Sequence, residues 1–307
     1  MIQKLPSNIK SNMVLSIITI NYNNAEGLRR TLASVASQTY RDIEHIIIDG
    51  GSTDGSVDVI REYAASNESI NPSIHHSIIW SSEPDKGIYN AMNKGISKAT
   101  GDYIQILNSG DLLAASDVTE RMMAALYTIH HTPYTEKGFP AILYGNMLKS
   151  YDGKTIINRD TCGNGLYTPE SFLYFYKGTL NHDCAYIHRD LFEKYGLYNE
   201  EMKICSDWEW YVRAIVLGGE KPVYTNIDVT IFDMNGVSES YGKNAELIRR
   251  ERREYLESIL PPAVLHDYDV FSFPVLQYQR LKKYHLWGIV YFIERVLFKL
   301  EKWRILR

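Results

Sequence analysis

A short apolar run followed by an amphipathic stretch recurs four times in the first 130 residues. The first run, Val14–Asn21 (VLSIITIN), is rich in β-branched residues and is typical of a strand buried on both faces. Leu28, Leu32 and Val35 follow it at the spacing of one helical face, after an Asn-Asn pair that offers a cap. Because strand and helix alternate with short connections, the pattern predicts an α/β fold with a mostly parallel sheet and helices on both faces. The other predicted strands are Ile43–Asp49, Ile78–Ser82 and Tyr103–Leu107, and the other predicted helices contain Val59–Ala64, Ile88–Ala99 and about Ser116–His130.

Composition narrows the class of protein. The chain has 307 residues, 45% hydrophobic and 23% charged, which is enough apolar material for a buried core and too much for a disordered chain. Its net charge of −4 argues against a nucleic-acid partner. The N-terminal residues lack an apolar core and no window holds 18 apolar residues, so we expect neither a signal peptide nor a membrane-spanning helix. Cys162, Cys184 and Cys205 form no Cys-x-x-Cys motif, which indicates a reducing, cytoplasmic compartment and leaves packing as their expected role.

Polar residues stand at the carboxyl end of each predicted strand. In parallel sheets this edge is where ligands bind. The Rossmann Gly-x-Gly-x-x-Gly motif and the P-loop Gly-Lys-Ser/Thr motif are both missing, so a dinucleotide dehydrogenase or a P-loop nucleotidase is not expected. The polar residues are Asn21; Asp49, Gly50 and Gly51; Glu83, Asp85 and Lys86; and Asn108, Ser109, Gly110 and Asp111.

Three stretches closely resemble family 2 glycosyltransferases of the GT-A fold: IITINYNNAEGLRRTLASVASQTYRDIEHIIIDGGSTDGS, SEPDKGIYNAMNKGISKATGDYIQILNSGD and SDWEWYVR. The resemblance covers roughly residues 13–235. It implies a Rossmann-like GT-A domain, an NDP-sugar donor with UDP as the favoured nucleotide, a bound divalent cation and transfer with inversion. We therefore expect a GT-A domain at 1–240, with a nucleotide-binding half at about 13–130 and an acceptor and catalytic half at about 131–240. A helical, basic extension is expected at 241–307.

By this resemblance the nucleotide base is bound at the ends of the first two strands. The Asp49 carboxylate would accept a hydrogen bond from the base, with Gly50 beside it. Thr19, Asn21 and Tyr22 would line the same pocket. The alternative is that Asp49 and the two glycines after it merely form a turn.

The helix that opens at Asp85 and Lys86 is expected to meet the diphosphate and the sugar. Its N-terminal amides and Lys86 would face phosphate, since a helix N-terminus attracts anions. Asp85 would bind the ribose or the sugar, and Asn93 matches an asparagine that recurs on this helix in the family. For Lys86 a solvated surface position is the alternative.

Asn108, Ser109, Gly110 and Asp111 occupy the place of the family's Asp-x-Asp motif, which holds Mg²⁺ or Mn²⁺ against the diphosphate. Asn108 and Ser109 are expected beside the donor and Asp111 on the metal, although Ser109 and Gly110 depart from the family pattern. We therefore expect a weak, exchangeable metal site. The alternative is a turn that caps a helix.

Asp207 matches the family's general base, which deprotonates the acceptor hydroxyl. Glu209 lies about 200° around the helix from it and so points elsewhere. His182 and Asp233 match positions near the acceptor or the diphosphate, the latter in a loop, Asp233–Ser238, that would close over the donor. The alternatives are an N-cap for Asp207 and a structural histidine for His182.

A segment from about Leu148 to Asn181 has few helix or strand signals and many aromatic residues, which stack well on sugar rings. It is where an acceptor-binding loop would lie, and ordinary core packing is the equal alternative. The aromatic residues are Tyr151, Tyr167, Phe172, Tyr174, Phe175 and Tyr176.

The C-terminal tail differs in composition from the rest. Arg280–Arg307 carries eight Lys and Arg against two Glu, net +6, whereas the preceding residues carry 25 basic and 35 acidic side chains, net −10. The run LWGIVYFI within it is too short to span a bilayer. Interleaved aromatic and basic residues are typical of a helix that lies on an anionic membrane. Packing on the catalytic domain or in an oligomer is the alternative.

The sequence thus predicts an inverting, metal-assisted glycosyltransferase that moves a sugar from an NDP-sugar to a hydroxyl of a glycan or a lipid-linked acceptor. It would be cytoplasmic, or peripheral on the inner face of the cell membrane. One alternative is a sugar nucleotidyltransferase, although the loop NYNNAEGL lacks the basic, Gly-rich character of such enzymes. The other is a non-catalytic module that binds a sugar nucleotide or a membrane.

Overall fold

The computed structural model describes residues 13–68, 77–129, 141–162, 168–234 and 241–305. These residues form a nine-stranded sheet in the order β3-β2-β1-β4-β8-β6-β9-β5, with β7 beside β6. Tyr167 and residues 235–238 of the loop expected over the donor lie outside the described residues. The strands are β1 (Leu15–Asn21), β2 (Ile43–Asp49), β3 (Ser77–Ser82), β4 (Tyr103–Ile106), β5 (Leu112–Leu113), β6 (Ile142–Ser150), β7 (Asn158–Asp160), β8 (Ala185–His188) and β9 (Pro222–Asp233).

Ten α-helices are described. Asn24 caps the first of them by accepting from the N–H of Gly27. The seventh continues as a π-helical turn, Val212–Leu217. They are α1 (Ala25–Ala36), α2 (Ser56–Glu68), α3 (Ile88–Lys98), α4 (Val118–Ile129), α5 (Phe172–Lys177), α6 (Asp190–Tyr195), α7 (Ser206–Tyr211), α8 (Tyr241–Ile259), α9 (Pro262–Lys283) and α10 (Trp287–Ile305).

The first half confirms the predicted parallel arrangement. Strand β1 pairs in parallel with β2 and β4, and β2 pairs in parallel with β3. Alternate residues of β2 face opposite cores: Ile46 packs in the core that contains Met92 of α3, and Ile47 packs with Leu28 and Ile60 from α1 and α2. The helices therefore cover both faces, as the sequence predicts.

The second half of the sheet is mixed rather than parallel. Strand β8 is antiparallel to β4 and β6, while β6 runs parallel to β9. The pairing of β6 with β9 is irregular near Asn146, and a side chain at Gly145 would come within 2.4 Å of the Ile227 carbonyl oxygen. Gly145 and Asn146 interrupt the apolar pattern in the middle of β6, so the sequence does not indicate β6 as a strand.

The C-terminal helices differ in how they pack. Leu256 of α8 and Leu265 at the start of α9 are buried in the main core. The rest of α9 and α10 exposes large apolar side chains. Among the described residues, no helix is both long enough and apolar enough to cross a membrane. The expected domain boundary near residue 240 stays a prediction.

The close packing of α3 on β1 can be tested by substituting Gly95. A Cβ on Gly95 would lie 2.4 Å from Cγ2 of Ile18, whereas a Cβ on Gly288 of α10 would meet nothing within 4 Å. Alanine gains about 1 kcal/mol of helix propensity over glycine, but overpacking a core costs about 1–3 kcal/mol. We expect Gly95→Ala to lower the free energy of unfolding and Gly288→Ala to leave it unchanged or slightly raised, as measured by urea titration. A Gly95→Ala protein as stable as the Gly288→Ala control would contradict this packing.

Candidate active site

Asp49, at the end of β2, is fully buried and holds the ends of three strands together. It accepts hydrogen bonds from Asn21 Nδ2 at 2.7 Å, Ser82 Oγ at 2.6 Å, and the backbone N–H and hydroxyl of Ser52 at 2.9 and 2.6 Å. Burial alone would raise its pKa, but these donors outweigh burial and hold the pKa below the usual value. The four bonds fill the acceptor positions of the carboxylate, so a base could bind Asp49 directly only by displacing one of them.

Tyr22, Gly50 and Asp85 border one cleft beside Asp49. A Cβ placed on Gly50 would lie 2.9 Å from Asp85 Oδ2 and 3.2 Å from the Tyr22 ring. Tyr22 is 68% exposed, so its ring is free to stack on a ligand. Glycine at position 50 keeps this space open. The structure thus brings three of the predicted donor-binding residues together.

Thr19 and Asn93 make hydrogen bonds within the protein, and their predicted ligand contacts stay predictions. The Thr19 hydroxyl is buried at 3.0 Å from Nε2 of His45, whose other ring nitrogen meets the Tyr63 hydroxyl. Asn93 donates to the Tyr198 carbonyl and accepts from the Tyr198 N–H at 2.9 and 3.0 Å. Their polar atoms are therefore already satisfied inside the protein, which sequence patterns do not reveal.

Lys94, rather than Lys86, is the cation held beside Asp85. Its Nζ lies 2.7 Å from Asp85 Oδ1 and 2.9 Å from Glu83 Oε1. Lys86 is exposed, which matches the surface alternative, and its backbone N–H donates to Asn90. Gly87 at the N-cap of α3 makes no side-chain capping bond, so the first amides of the helix are available to an anion.

A buried acidic group lies at the expected metal position. Asp111 Oδ1 accepts from the N–H of Asp233 at 2.9 Å. Burial, together with the charges of Asp183 and Asp233, raises the pKa of Asp111 well above its usual value. Asp183 in turn accepts from the Thr230 hydroxyl at 2.9 Å, and Asp233 pairs with Arg30 at 2.9 Å. Three acidic side chains are thus concentrated at this position, with Arg30 paired to one of them.

This environment suits a cation that is coordinated mainly by a bound diphosphate and water. Asp111 Oδ2 accepts no hydrogen bond from the described residues, and a cation would relieve the repulsion from Asp183. Within the described ranges no group of three or more His, Cys, Asp or Glu residues is arranged to hold a metal. Phosphate oxygens and water would have to complete the coordination, as they commonly do for Mg²⁺.

Asp207, the second residue of α7, lies between donors from both halves of the fold. Its Oδ1 accepts from the Tyr89 hydroxyl at 2.9 Å, and its Oδ2 lies 3.3 Å from His182 Nδ1. Burial would raise its pKa, but the contacts with His182 and Tyr89 outweigh burial and lower it. Asp207 is therefore ionised at neutral pH. Glu209, as expected, points elsewhere and pairs with Arg213 at 2.9 Å.

His182 links this carboxylate to the predicted metal loop. Burial would lower its pKa, but Asp207 outweighs burial and raises it, which favours the protonated ring. Its Nε2 lies 3.2 Å from the Asn108 amide nitrogen, while Asn108 Oδ1 is buried without a partner. Exchanging the amide oxygen and nitrogen of Asn108 would satisfy both groups, since a protonated ring donates from both nitrogens. Ser109 adjoins this loop and accepts from Asn24 through its carbonyl at 3.0 Å.

The predicted residues therefore fall into two groups, one around Asp49 and one around Asp207. The sequence did not indicate Tyr89 as a partner of Asp207, nor Ser52 and Ser82 as partners of Asp49. Tyr89 lies on the buried face of α3, where an aromatic residue is expected for packing alone. Its hydroxyl contact depends on the distant α7, which no local pattern reveals.

The chain belongs to glycosyltransferase family 2, because the sequence model described as glycosyl transferase family 2 matches residues 16–196. An uncharacterised glycosyltransferase of Mycobacterium tuberculosis is 34% identical over 226 residues, which cover 73% of this chain and 76% of that protein. A PGL/p-HBAD biosynthesis glycosyltransferase of Mycobacterium bovis is 29% identical over 203 residues, 66% of this chain and 69% of that protein. The chain is a glycosyltransferase.

Solved structures show the same GT-A fold. The mannosyltransferase PcManGT of Pyrobaculum calidifontis, in complex with GDP-Man and Mn²⁺, aligns with a TM-score of 0.60 and 18% identity, covering 91% of this chain and 73% of that one. TarS 1-349 of S. aureus aligns with a TM-score of 0.57 and 17% identity, covering 88% of this chain and 72% of that one. TarS is also known in complex with UDP and with UDP-GlcNAc.

Proposed function

We propose that this glycosyltransferase moves a sugar from an NDP-sugar, with UDP the favoured nucleotide, to a hydroxyl of a glycan or a lipid-linked acceptor, with inversion. The observation that carries the proposal is the ionised Asp207 carboxylate held between Tyr89 and His182. The nucleotides bound to the structural neighbours support a sugar-nucleotide donor. The cleft formed by Tyr22, Gly50 and Asp85 is the place for it.

Asp207 acts as the general base. Its carboxylate takes the proton from the acceptor hydroxyl while that oxygen attacks the anomeric carbon. The bond from the anomeric carbon to the diphosphate breaks on the opposite face, and the nucleotide leaves with the electron pair. One base on one face suffices, because inversion needs a single displacement. Tyr89 and His182 fix the carboxylate, which keeps it aligned with the attacking oxygen.

At the donor end, the amides at the start of α3 face the diphosphate, with Asp85 on the ribose or sugar. Asp111 would hold a divalent cation, Mn²⁺ or Mg²⁺, which when bound would neutralise the charge that develops on the departing diphosphate. Lys94 holds Asp85 in place by its 2.7 Å ion pair.

The hairpin of α9 and α10 docks the enzyme on an anionic membrane surface in this proposal. Phe271 and Phe273 of α9 are 56% and 63% exposed, and Phe292 and Phe298 of α10 are 67% and 60% exposed. Apolar groups of this size are stable against lipid rather than water. The net +6 of Arg280–Arg307 is complementary to an anionic bilayer, and its interleaved aromatic residues suit the interface of such a bilayer. Attachment to the inner face of the cell membrane would bring the site to a lipid-linked acceptor.

Asp207→Asn tests the base. General bases contribute about 10²- to 10⁴-fold, so we expect donor turnover to fall by at least about 100-fold while UDP binding, measured by calorimetry, is retained. Asp190→Asn, which neutralises a half-exposed aspartate at the start of α6, serves as a matched control and should leave turnover unchanged. Normal turnover by Asp207→Asn would show that the base has been assigned wrongly.

Vesicle sedimentation tests the membrane proposal. Lys282, Lys283 and Lys299 contribute about 1 kcal/mol each near an anionic surface, so their joint replacement by Gln should weaken binding to phosphatidylglycerol vesicles by about 100-fold. Replacing Arg29, Arg61 and Arg121 by Gln makes the same charge change on the nucleotide-binding half and should leave binding unaltered. An equal loss of vesicle binding in both variants would contradict the proposal. So would a stable dimer that does not bind vesicles.

A further inference from the structure

A carboxylate from α8 is bound to the backbone just before Asp207. Glu251 is buried, and its Oε1 accepts from the N–H of Lys203 at 2.7 Å. Its Oε2 accepts from the N–H groups of Ile204 and Cys205, both at 3.1 Å. Three successive amides thus converge on one side chain, which is the geometry by which backbone concavities bind anions. Here the anion is a residue of the chain itself.

Glu251 provides an N-terminal capping interaction that the residues of α7 do not provide themselves. Cys205 is the N-cap of α7 and its side chain makes no capping hydrogen bond. In many helices a Glu at the third helical position returns to the N–H of the N-cap residue. That position is Trp208 in α7, which cannot accept such a bond. Glu251 satisfies the N-cap N–H from a distant helix, and its negative charge is favourable at a helix N-terminus.

The same helix also holds α7 on the other side of Asp207. The Arg252 guanidinium lies 4.9 Å from the centre of the Trp208 ring, a distance that permits a cation–π contact. Trp208 is itself fixed by donating its ring N–H to the Phe175 carbonyl at 2.7 Å. Side chains of α8 therefore contact the chain on both sides of Asp207. Glu251 accepts from the amides before it, and Arg252 lies over the Trp208 ring after it.

We propose that Glu251 is a positioning residue for the glycosyl transfer, acting through Asp207 by fixing the backbone that carries it. This inference rests on the proposed role of Asp207 as general base. It also places α8 with the catalytic machinery, although the sequence assigned it to a separate extension. A misplaced general base costs rate without weakening donor binding, since the donor occupies the other end of the cleft.

The test compares Glu251→Gln and Glu251→Ala with Glu254→Gln, which makes the same charge change at an exposed site on α8. Gln keeps one accepting oxygen, so the Gln variant should lose less than the Ala variant. We expect kcat for donor turnover to fall by about 10- to 100-fold in Glu251→Ala, with KM for the donor within about twofold of the native value. Glu254→Gln should match the native enzyme. A rise in KM that parallels the loss of kcat, or no loss at all, would overturn the proposal.

A double variant separates this inference from the base assignment. If Glu251 acts through Asp207, then Glu251→Gln in the Asp207→Asn background should cause no further loss of turnover. A further loss equal to that seen in the native background would overturn the positioning role while the base assignment stands. Normal turnover in Asp207→Asn alone would instead refute the base. If Glu251→Ala does not fold, Arg252→Met provides a second test. We expect it to lower kcat without changing KM for the donor. Unchanged kcat in both Arg252→Met and Glu251→Gln would refute the role of α8.

Discussion

The Asp207 carboxylate accepts hydrogen bonds from both halves of the fold, and the candidate site exists only where those halves meet. Tyr89 reaches it from α3, which packs on the parallel strands through Gly95. His182 reaches it from the turn before β8, which pairs with β4 at the centre of the sheet. Either contact alone would leave the carboxylate free to turn. Together they keep a buried group ionised, because hydrogen bonds and a neighbouring cation offset the cost of burial.

The strand-end carboxylates are used in two different ways. Asp49 is saturated with protein donors and its lowered pKa reflects internal hydrogen bonds, so it is organised for rigidity. Asp111 is buried among other acids, and burial together with their charges raises its pKa; in the proposed mechanism it is the residue that holds the cation. A family Asp-x-Asp motif would add a second carboxylate here. Serine in that place is consistent with a cation bound largely through the diphosphate.

The sequence predicted the first half of the fold well and the second half poorly. Ile43–Asp49 is a strand with the predicted bounds, because its four isoleucines are β-branched and suit a buried strand. Strand β9 was not predicted, because Asn226 and Asp228 break its apolar pattern. Their hydrogen bonds to Arg159 and Asn146 form across the sheet and leave no local signal. The proposal of Asp207 as the base came from resemblance. The partners of Asp207 were not identified, since hydrogen bonds between residues far apart in sequence leave no periodic signal.

The change of charge along the chain falls near the end of α9, since the net +6 begins at Arg280. Helix α8, on the acidic side of this boundary, binds the backbone just before Asp207 through Glu251. Arg253 of α8 pairs with Glu257 and Asp269, so part of the basic surface is neutralised within the protein. In the proposals above, α8 supports the active site, and the residues from Arg280 onward contact the membrane.

The stereochemistry of donor cleavage tests the central claim, a single in-line displacement with Asp207 as the base. Proton NMR of the sugar released when the enzyme hydrolyses an α-linked UDP-sugar, recorded before the anomers interconvert, reports the configuration directly. We predict that the β anomer forms first, because water attacks from the side opposite the nucleotide. Initial release of the α anomer would contradict the account.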